Sequence, residues 1–146
     1  MKITTKCRYG IRAMVEISRN YSVRPTTRRE IASSQELDNS YLENILLDLK
    51  NNGIVRSIRG VKGGFVLNRP PESITLLEIV ESLQGEIVPS ACVMLPSVCD
   101  RASYCVTRPV WVRLQQAQKE VLLDVTVRDL LDEELRTRRF EYQEPN

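Results

Sequence analysis

Residues 38–67, DNSYLENILLDLKNNGIVRSIRGVKGGFVL, decide how the rest of the chain is read. Leu42, Ile45, Leu46 and Leu49 fall at i, i+3, i+4 and i+7, which places one apolar stripe along a helix. Asp38 or Ser40 can cap its start, and Asn52-Gly53 supplies a stop. The pattern then switches to period two: Ile54, Val55, Ser57 and Ile58 predict a short strand, with Phe65, Val66 and Leu67 as its return. Arg59-Gly60-Val61-Lys62-Gly63-Gly64 between them is a basic hairpin tip whose glycines permit positive φ. A capped helix followed by a small basic hairpin is the layout of a winged helix-turn-helix, in which the helix enters a DNA major groove and the hairpin lies beside it. Taken alone, the stretch also suits an ordinary helix–hairpin in an α+β domain; the flanking sequence decides.

Upstream, residues 4–20 predict a first helix with Ile11, Met14, Val15 and Ser18 on one stripe. Lys6, Arg8 and Arg12 crowd its start, where cations oppose the helix dipole unless an external anion such as phosphate, or solvent, compensates them. Thr27-Arg28-Arg29-Glu30 is a capping box opening a second helix to about Gln35, and Glu36-Leu37-Asp38 is a tight turn into the third. Helix, tight turn and amphipathic helix make a helix-turn-helix by spacing. The expected fold is mainly α with a small β-hairpin wing, a winged helix-turn-helix joined to a long dimerisation helix.

Residues 1–69 form the DNA-binding head in this reading. Pro70-Pro71 force an extended joint, and residues 70–85 carry a supporting helix opened by the Thr75-x-x-Glu78 box and ended by Gly85. Residues 86–107 are a loop with Cys92, Cys99 and Cys105. Residues 108–135 hold a long helix begun near Pro109, then a short helix capped by Thr126-x-x-Asp129. Val110, Leu114, Ala117 and Val121 on the long helix make a heptad-like seam suited to a homodimer. Residues 136–146 read as a polar, frayed tail.

Charge divides along the same line. Residues 1–69 carry 13 Lys and Arg against 6 Asp and Glu, a balance of +7; residues 70–146 carry 8 against 13, a balance of −5. Only the first half is therefore expected to meet a polyanion. With no histidine in the 146 residues, the commonest general acid–base is missing, and neither a nucleotide-binding glycine loop nor a nucleophile–base pair replaces it, so an enzyme is not expected. No stretch approaches the roughly 20 apolar residues of a membrane span. The start, MKITTKCRYGIRAMVEI, has no long apolar export region, so the expected location is the cytoplasm, where the four cysteines stay reduced or bind metal.

Cys92-x6-Cys99-x5-Cys105 lacks the close pairs of a zinc finger. Three thiolates on one loop can wrap an iron–sulfur cluster. Three scattered thiols, one of them redox-reactive, is the other reading of the same spacing.

MKITTKCRYGIRAM, then SYLENILLDLKNNGIVRSIRGVKGGFVL, then the three-cysteine loop leading through RPVW into the long helix, occur in an order that resembles the Rrf-type family of bacterial winged-helix regulators, which includes IscR-, NsrR- and CymR-like members. The resemblance implies a homodimeric transcription regulator that senses iron–sulfur cluster, redox or nitric-oxide status through a cluster on Cys92, Cys99 and Cys105. Similarity to IscR-like members implies a 2Fe–2S cluster, with 4Fe–4S as the other possibility. Where IscR-like members place a histidine, this chain has Arg108; where NsrR-like members draw an acidic ligand from the partner's first helix, it has Arg8. Cys7 of the partner subunit, Asp100 or a small external ligand are the remaining candidates for a fourth ligand, although Cys7 also reads as a small buried residue. CymR-like members imply the alternative, a cluster-free thiol sensor acting by cysteine oxidation or through a protein partner.

For DNA, the resemblance points to Ser40, Tyr41 and Glu43 at the exposed start of the third helix, with Asn44 beside them; a Glu there can accept from a cytosine amino group. Arg59 is suited to a narrow minor groove. Lys62, Lys6, Arg8, Arg28 and Arg29 are candidate phosphate contacts. Two such heads on a dimer imply a near-palindromic operator on double-stranded DNA.

Overall fold

The computed structural model describes residues 2–141, with side-chain surroundings over 2–138. Helix α1, Thr5–Arg19, begins where the Thr4 hydroxyl accepts from the Cys7 amide at 3.2 Å. Helix α2, Arg28–Gln35, opens on the Thr27/Glu30 box in both directions: the Thr27 hydroxyl accepts from the Glu30 amide and the Glu30 carboxylate accepts from the Thr27 amide. Hydrogen bonds from Arg24 and from the Thr27 amide and hydroxyl pull the Glu30 carboxyl down to about 2. Helix α3, Asn39–Asn51, is capped by Asp38 rather than Ser40, because the Asp38 carboxylate reaches the Tyr41 amide at 2.9 Å. Gly53, at φ 72°, turns the chain out of α3.

Strands β1, Val55–Ile58, and β2, Gly64–Leu67, pair antiparallel with Val55 opposite Leu67 and Ile58 opposite Gly64. The hairpin does not stand free. Phe65 and Thr26 exchange two backbone hydrogen bonds, 2.8 and 2.9 Å, so β2 is also paired with the connection between α1 and α2. Pro70 is extended as expected, but Pro71 is buried and opens one 3-10 turn, Pro71–Ser73. Helix α4, Leu76–Gln84, repeats the reciprocal capping box with Thr75 and Glu78.

The core lies where α1, α3 and α4 meet. Ala13, Met14, Leu42, Ile45, Leu46, Leu49, Ile79 and Val80 are all fully buried there. Burying a Leu or Ile side chain is worth about 1.5–3 kcal/mol, so the α3 stripe alone is a main support of the head. Gly10 is part of that contact: a Cβ there would collide with the end of Leu83.

The segment after α4 is less loop-like than its sequence suggests. Helix α5, Ala91–Met94, and a 3-10 turn, Pro96–Val98, interrupt it. Helix α6, Arg108–Leu123, follows, and helix α7, Val127–Glu141, returns across α1. The expected short last helix and a polar tail from Arg136 are corrected here, since α7 continues to Glu141. Its charged residues pair along one helix, Arg128 with Asp132, Arg136 with Glu133 and Arg138 with Glu134, which favours continuation of the helix. The remainder of the expected tail, 142–146, lies outside the described residues. Val127 and Leu131 of α7 are buried, and Glu134 forms an ion pair with Arg19 of α1, which also holds Glu16 at 3.2 Å. No helix among the described residues is long and apolar enough to cross a membrane.

Candidate nucleic-acid interface and cysteine loop

The capped start of α3 presents Ser40, Tyr41, Glu43 and Asn44 to solvent. The Asn44 amide donates to the Ser40 carbonyl at 3.4 Å. Glu43 is held by Arg28 of α2 at 2.9 Å, both side chains exposed, while Arg29 is exposed next to it. An exposed pair of this kind is worth about 0–1 kcal/mol, so Glu43 is released to a base edge at little cost. At the hairpin tip Arg59, Val61 and Lys62 are exposed, around a turn that uses Gly60 at φ 109°. The hairpin that carries this tip packs on α3 through β1.

Two of the expected phosphate contacts are engaged within the protein. Lys6 is ion-paired with Asp48 of α3, and Arg8 donates to the Thr5 hydroxyl at 3.1 Å, near its own helix start. Arg12, already marked by its place among the cations of α1, joins this face together with Tyr9 and Gln35, which carry no distinctive sequence signal. Arg12 lies over the Tyr9 ring, 5.5 Å from its centre; Tyr9 meets Tyr41 edge to face at 5.9 Å; and Arg12 Nε donates to Gln35 Oε1 at 3.0 Å. A glutamine in the polar run SSQE gives no hint of burial, yet Gln35 is buried.

The cysteine segment is fastened to α6 at several points. Lys119 pairs with Glu86 at 2.7 Å, Gln115 donates to the Ile87 carbonyl at 2.8 Å, and Arg108 Nε donates to the Cys92 carbonyl at 2.9 Å. Arg108, at the position where a histidine ligand was sought, thus holds the loop by its backbone. Cys92, Cys99 and Cys105 are free and half-buried, and Asp100 is exposed. Cys92 Sγ lies 3.4 Å from the Ser90 hydroxyl and Cys105 Sγ 3.2 Å from that of Thr107. The three thiols are the donor type of a thiolate-held cluster. Among the described residues, however, no three Cys, Asp, Glu or His side chains are grouped closely enough to hold a metal ion.

The thiols differ chemically. The Thr107 hydroxyl, then the amides of Thr107 and Arg108 and the charge of Arg101, lower the Cys105 pKa from its ordinary value. Burial raises that of Cys7, which is fully enclosed between α1 and α4 with Sγ 3.0 Å from Gln84 Oε1. In this arrangement Cys7 faces its own core and is not offered to a partner. With a limiting alkylating reagent at pH 7, the accessible Cys105, whose thiolate the Thr107 contact favours, is expected to label well before the enclosed Cys7, which labels only after unfolding. Peptide mapping by mass spectrometry checks the order; early labelling of Cys7 would contradict it.

Comparison with known proteins is consistent across nearly the whole chain. The family described as Rrf2, iron-dependent transcriptional regulator, matches residues 3–133. The HTH-type transcriptional regulator CymR of Bacillus subtilis (strain 168) is 38% identical over 130 residues, covering 89% of each chain. The solved structure of CymR, titled the global cysteine regulator of B. subtilis, superposes with a TM-score of 0.76 at 37% identity, covering 90% of this chain and 97% of that one. The structure of T. potens IscR gives 0.74 at 29% identity, covering 100% of this chain and 93% of that one.

Proposed function

Because this chain belongs to the Rrf2 family of DNA-binding transcriptional regulators, which are not enzymes, we propose that it is a cytoplasmic homodimer that reads a near-palindromic operator with the start of α3 and reports redox or iron–sulfur status through Cys92, Cys99 and Cys105. The observation that carries the DNA part is the exposure of Ser40, Tyr41, Glu43 and Asn44 beside the Arg59–Lys62 wing tip, on the half of the chain with a balance of +7. Phosphate contacts from this half supply affinity and make it salt-dependent. Glu43 and its neighbours supply base discrimination. Dimerisation is supported by α6, whose Val110, Leu114 and Val121 are 52%, 42% and 66% exposed on one seam.

Arg59→Ala is expected to weaken binding to all duplexes and lower the salt slope by about one. Glu43→Ala is expected to keep the slope and relax preference at one base pair by roughly 1–3 kcal/mol. Titrations of each variant on matched and mismatched duplexes at several salt concentrations check both. Equal losses on every duplex from both variants would remove these roles.

An iron–sulfur cluster, 2Fe–2S by likeness to IscR, would be held by the three loop thiols, with Asp100 or a small external ligand as the fourth donor. When bound it supplies redox-sensitive chemistry that the side chains alone lack. The chain's own part is mechanical. Arg108, Gln115 and Lys119 tie the loop to α6, and α4, from which the loop departs, packs on α1 and α3. Drawing the loop in biases the angle between head and α6, and with it the population of DNA-competent dimers. A second reading, a cluster-free thiol sensor, is favoured by one observation: the half-buried Cys105 Sγ lies 3.2 Å from the Thr107 hydroxyl, a contact that favours the thiolate, the form open to oxidation.

A further inference from the structure

Between α2 and α3 the backbone passes through Glu36 in the left-handed region, φ 52° and ψ 49°, a conformation that side-chain-bearing residues seldom adopt. Something must hold the turn, and Gln35 is placed to do so. Its side chain is 8% exposed and gripped from both sides by α1. Gln35 Oε1 accepts from Arg12 Nε at 3.0 Å, and Gln35 Nε2 donates to Glu16 Oε2 at 3.2 Å. A cation on one side and a carboxylate on the other leave the amide one favourable orientation. Arg12 Nη2 also donates to the Gln35 carbonyl, so one guanidinium binds both the side chain and the end of α2. The same guanidinium lies over Tyr9, whose ring meets Tyr41 in the first turn of α3. The turn before α3 and the start of α3 are thus both referred to Arg12.

We infer that Arg12 and Glu16 are positioning residues for sequence recognition: through Gln35 and Tyr9 they fix where α3 begins relative to α1, without contacting DNA. Base-edge hydrogen bonds fail when a helix start shifts by a fraction of an ångström, whereas phosphate contacts from long cationic side chains adapt. Loosening the clamp therefore lowers discrimination and leaves non-specific affinity in place. Lysine does not substitute for Arg12, since its single ammonium cannot bind Gln35 at two points and lie on Tyr9 together.

The inference rests on α3 being the base-reading helix. Selection of duplexes from a random pool by the wild-type protein tests that reading first; failure to enrich any sequence would overturn it independently of Arg12. The selected duplex and a scrambled duplex of equal length are then titrated with Arg12→Met and Arg12→Lys. Both variants are expected to lose about tenfold in the ratio of selected to scrambled affinity, with scrambled affinity and salt slope unchanged. Equal loss on both duplexes with a slope lower by about one would make Arg12 a phosphate contact and overturn the inference; so would an unchanged ratio. Should Arg12→Met lack the wild-type circular dichroism and cooperative melt, Glu16→Ala removes the acceptor for Gln35 Nε2 on the other side of the same clamp and is read by the same two titrations.

Discussion

Gly64→Ala is expected to destabilise the protein by roughly 4 kcal/mol, through an unfavourable φ and the loss of backbone hydrogen bonds. Gly64 sits at φ 151°, and a Cβ built there lies 2.6 Å from the Thr26 carbonyl oxygen and 2.7 Å from its carbon. Those atoms are backbone and cannot rotate away. Relief comes only by separating β2 from the α1–α2 connection, which breaks the two Thr26–Phe65 hydrogen bonds that seat the wing. Gly60→Ala is the comparison: its φ of 109° is also unfavourable, but nothing lies within 4 Å of its Cβ. Its cost is limited to about 1–3 kcal/mol of backbone strain. Denaturant midpoints of the two variants, with the affinity of each for a selected duplex, separate a detached wing from a merely strained tip. If Gly64→Ala matched Gly60→Ala in both, the wing would not depend on its seat at Thr26.

The second large effect concerns the loop thiols. After anaerobic purification and reconstitution, the wild-type protein is expected to carry iron and acid-labile sulfide in equal amounts, absorbing visibly as thiolate-held clusters do. Cys92→Ser, Cys99→Ser and Cys105→Ser are each expected to lose essentially all of both, because the remaining loop donors are too few. Cys7→Ala is expected to keep them, since the Cys7 thiol is enclosed against Val80 and Gln84. Iron and sulfide assays on folded samples decide. Loss in Cys7→Ala at intact circular dichroism would make Cys7 a ligand after all. A wild-type protein with no sulfide would leave the thiol-sensing reading, with Cys105 as its reactive group.

How much of this was legible beforehand depended on whether the signal was local. The two capping boxes and the Asn52-Gly53 stop are interactions within four residues, and the α3 stripe is a local period, and each formed where its residues predicted. The end of α7 was misjudged because its polarity read as fraying, while the Arg–Glu pairs and the Arg19–Glu134 contact support a helix. That Ser40, Tyr41, Glu43 and Asn44 lie off the apolar stripe of α3, and so are exposed, could be read from sequence. The Arg12–Gln35–Glu16 clamp could not, because its members come from two helices and the one marked residue, Arg12, stood out only as a cation near the start of α1, with nothing to link it to Gln35. The cysteine loop was legible as a set of donors and not as a site: spacing says nothing about whether three side chains converge.

Helix α6 has 16 residues and no buried side chain in the single chain. A helix of that length whose seam is left in water is close to the limit of what its own backbone sustains, and its ties within the chain are polar apart from Leu122 at its end. If a second copy covers its seam, association and folding become one equilibrium, and the order of everything fastened to α6 becomes a function of concentration. The residues fastened there include the segment that carries Cys92. The reactivity of the sensor would then vary with how many copies the cell contains, so abundance would act as a second input alongside the chemical signal.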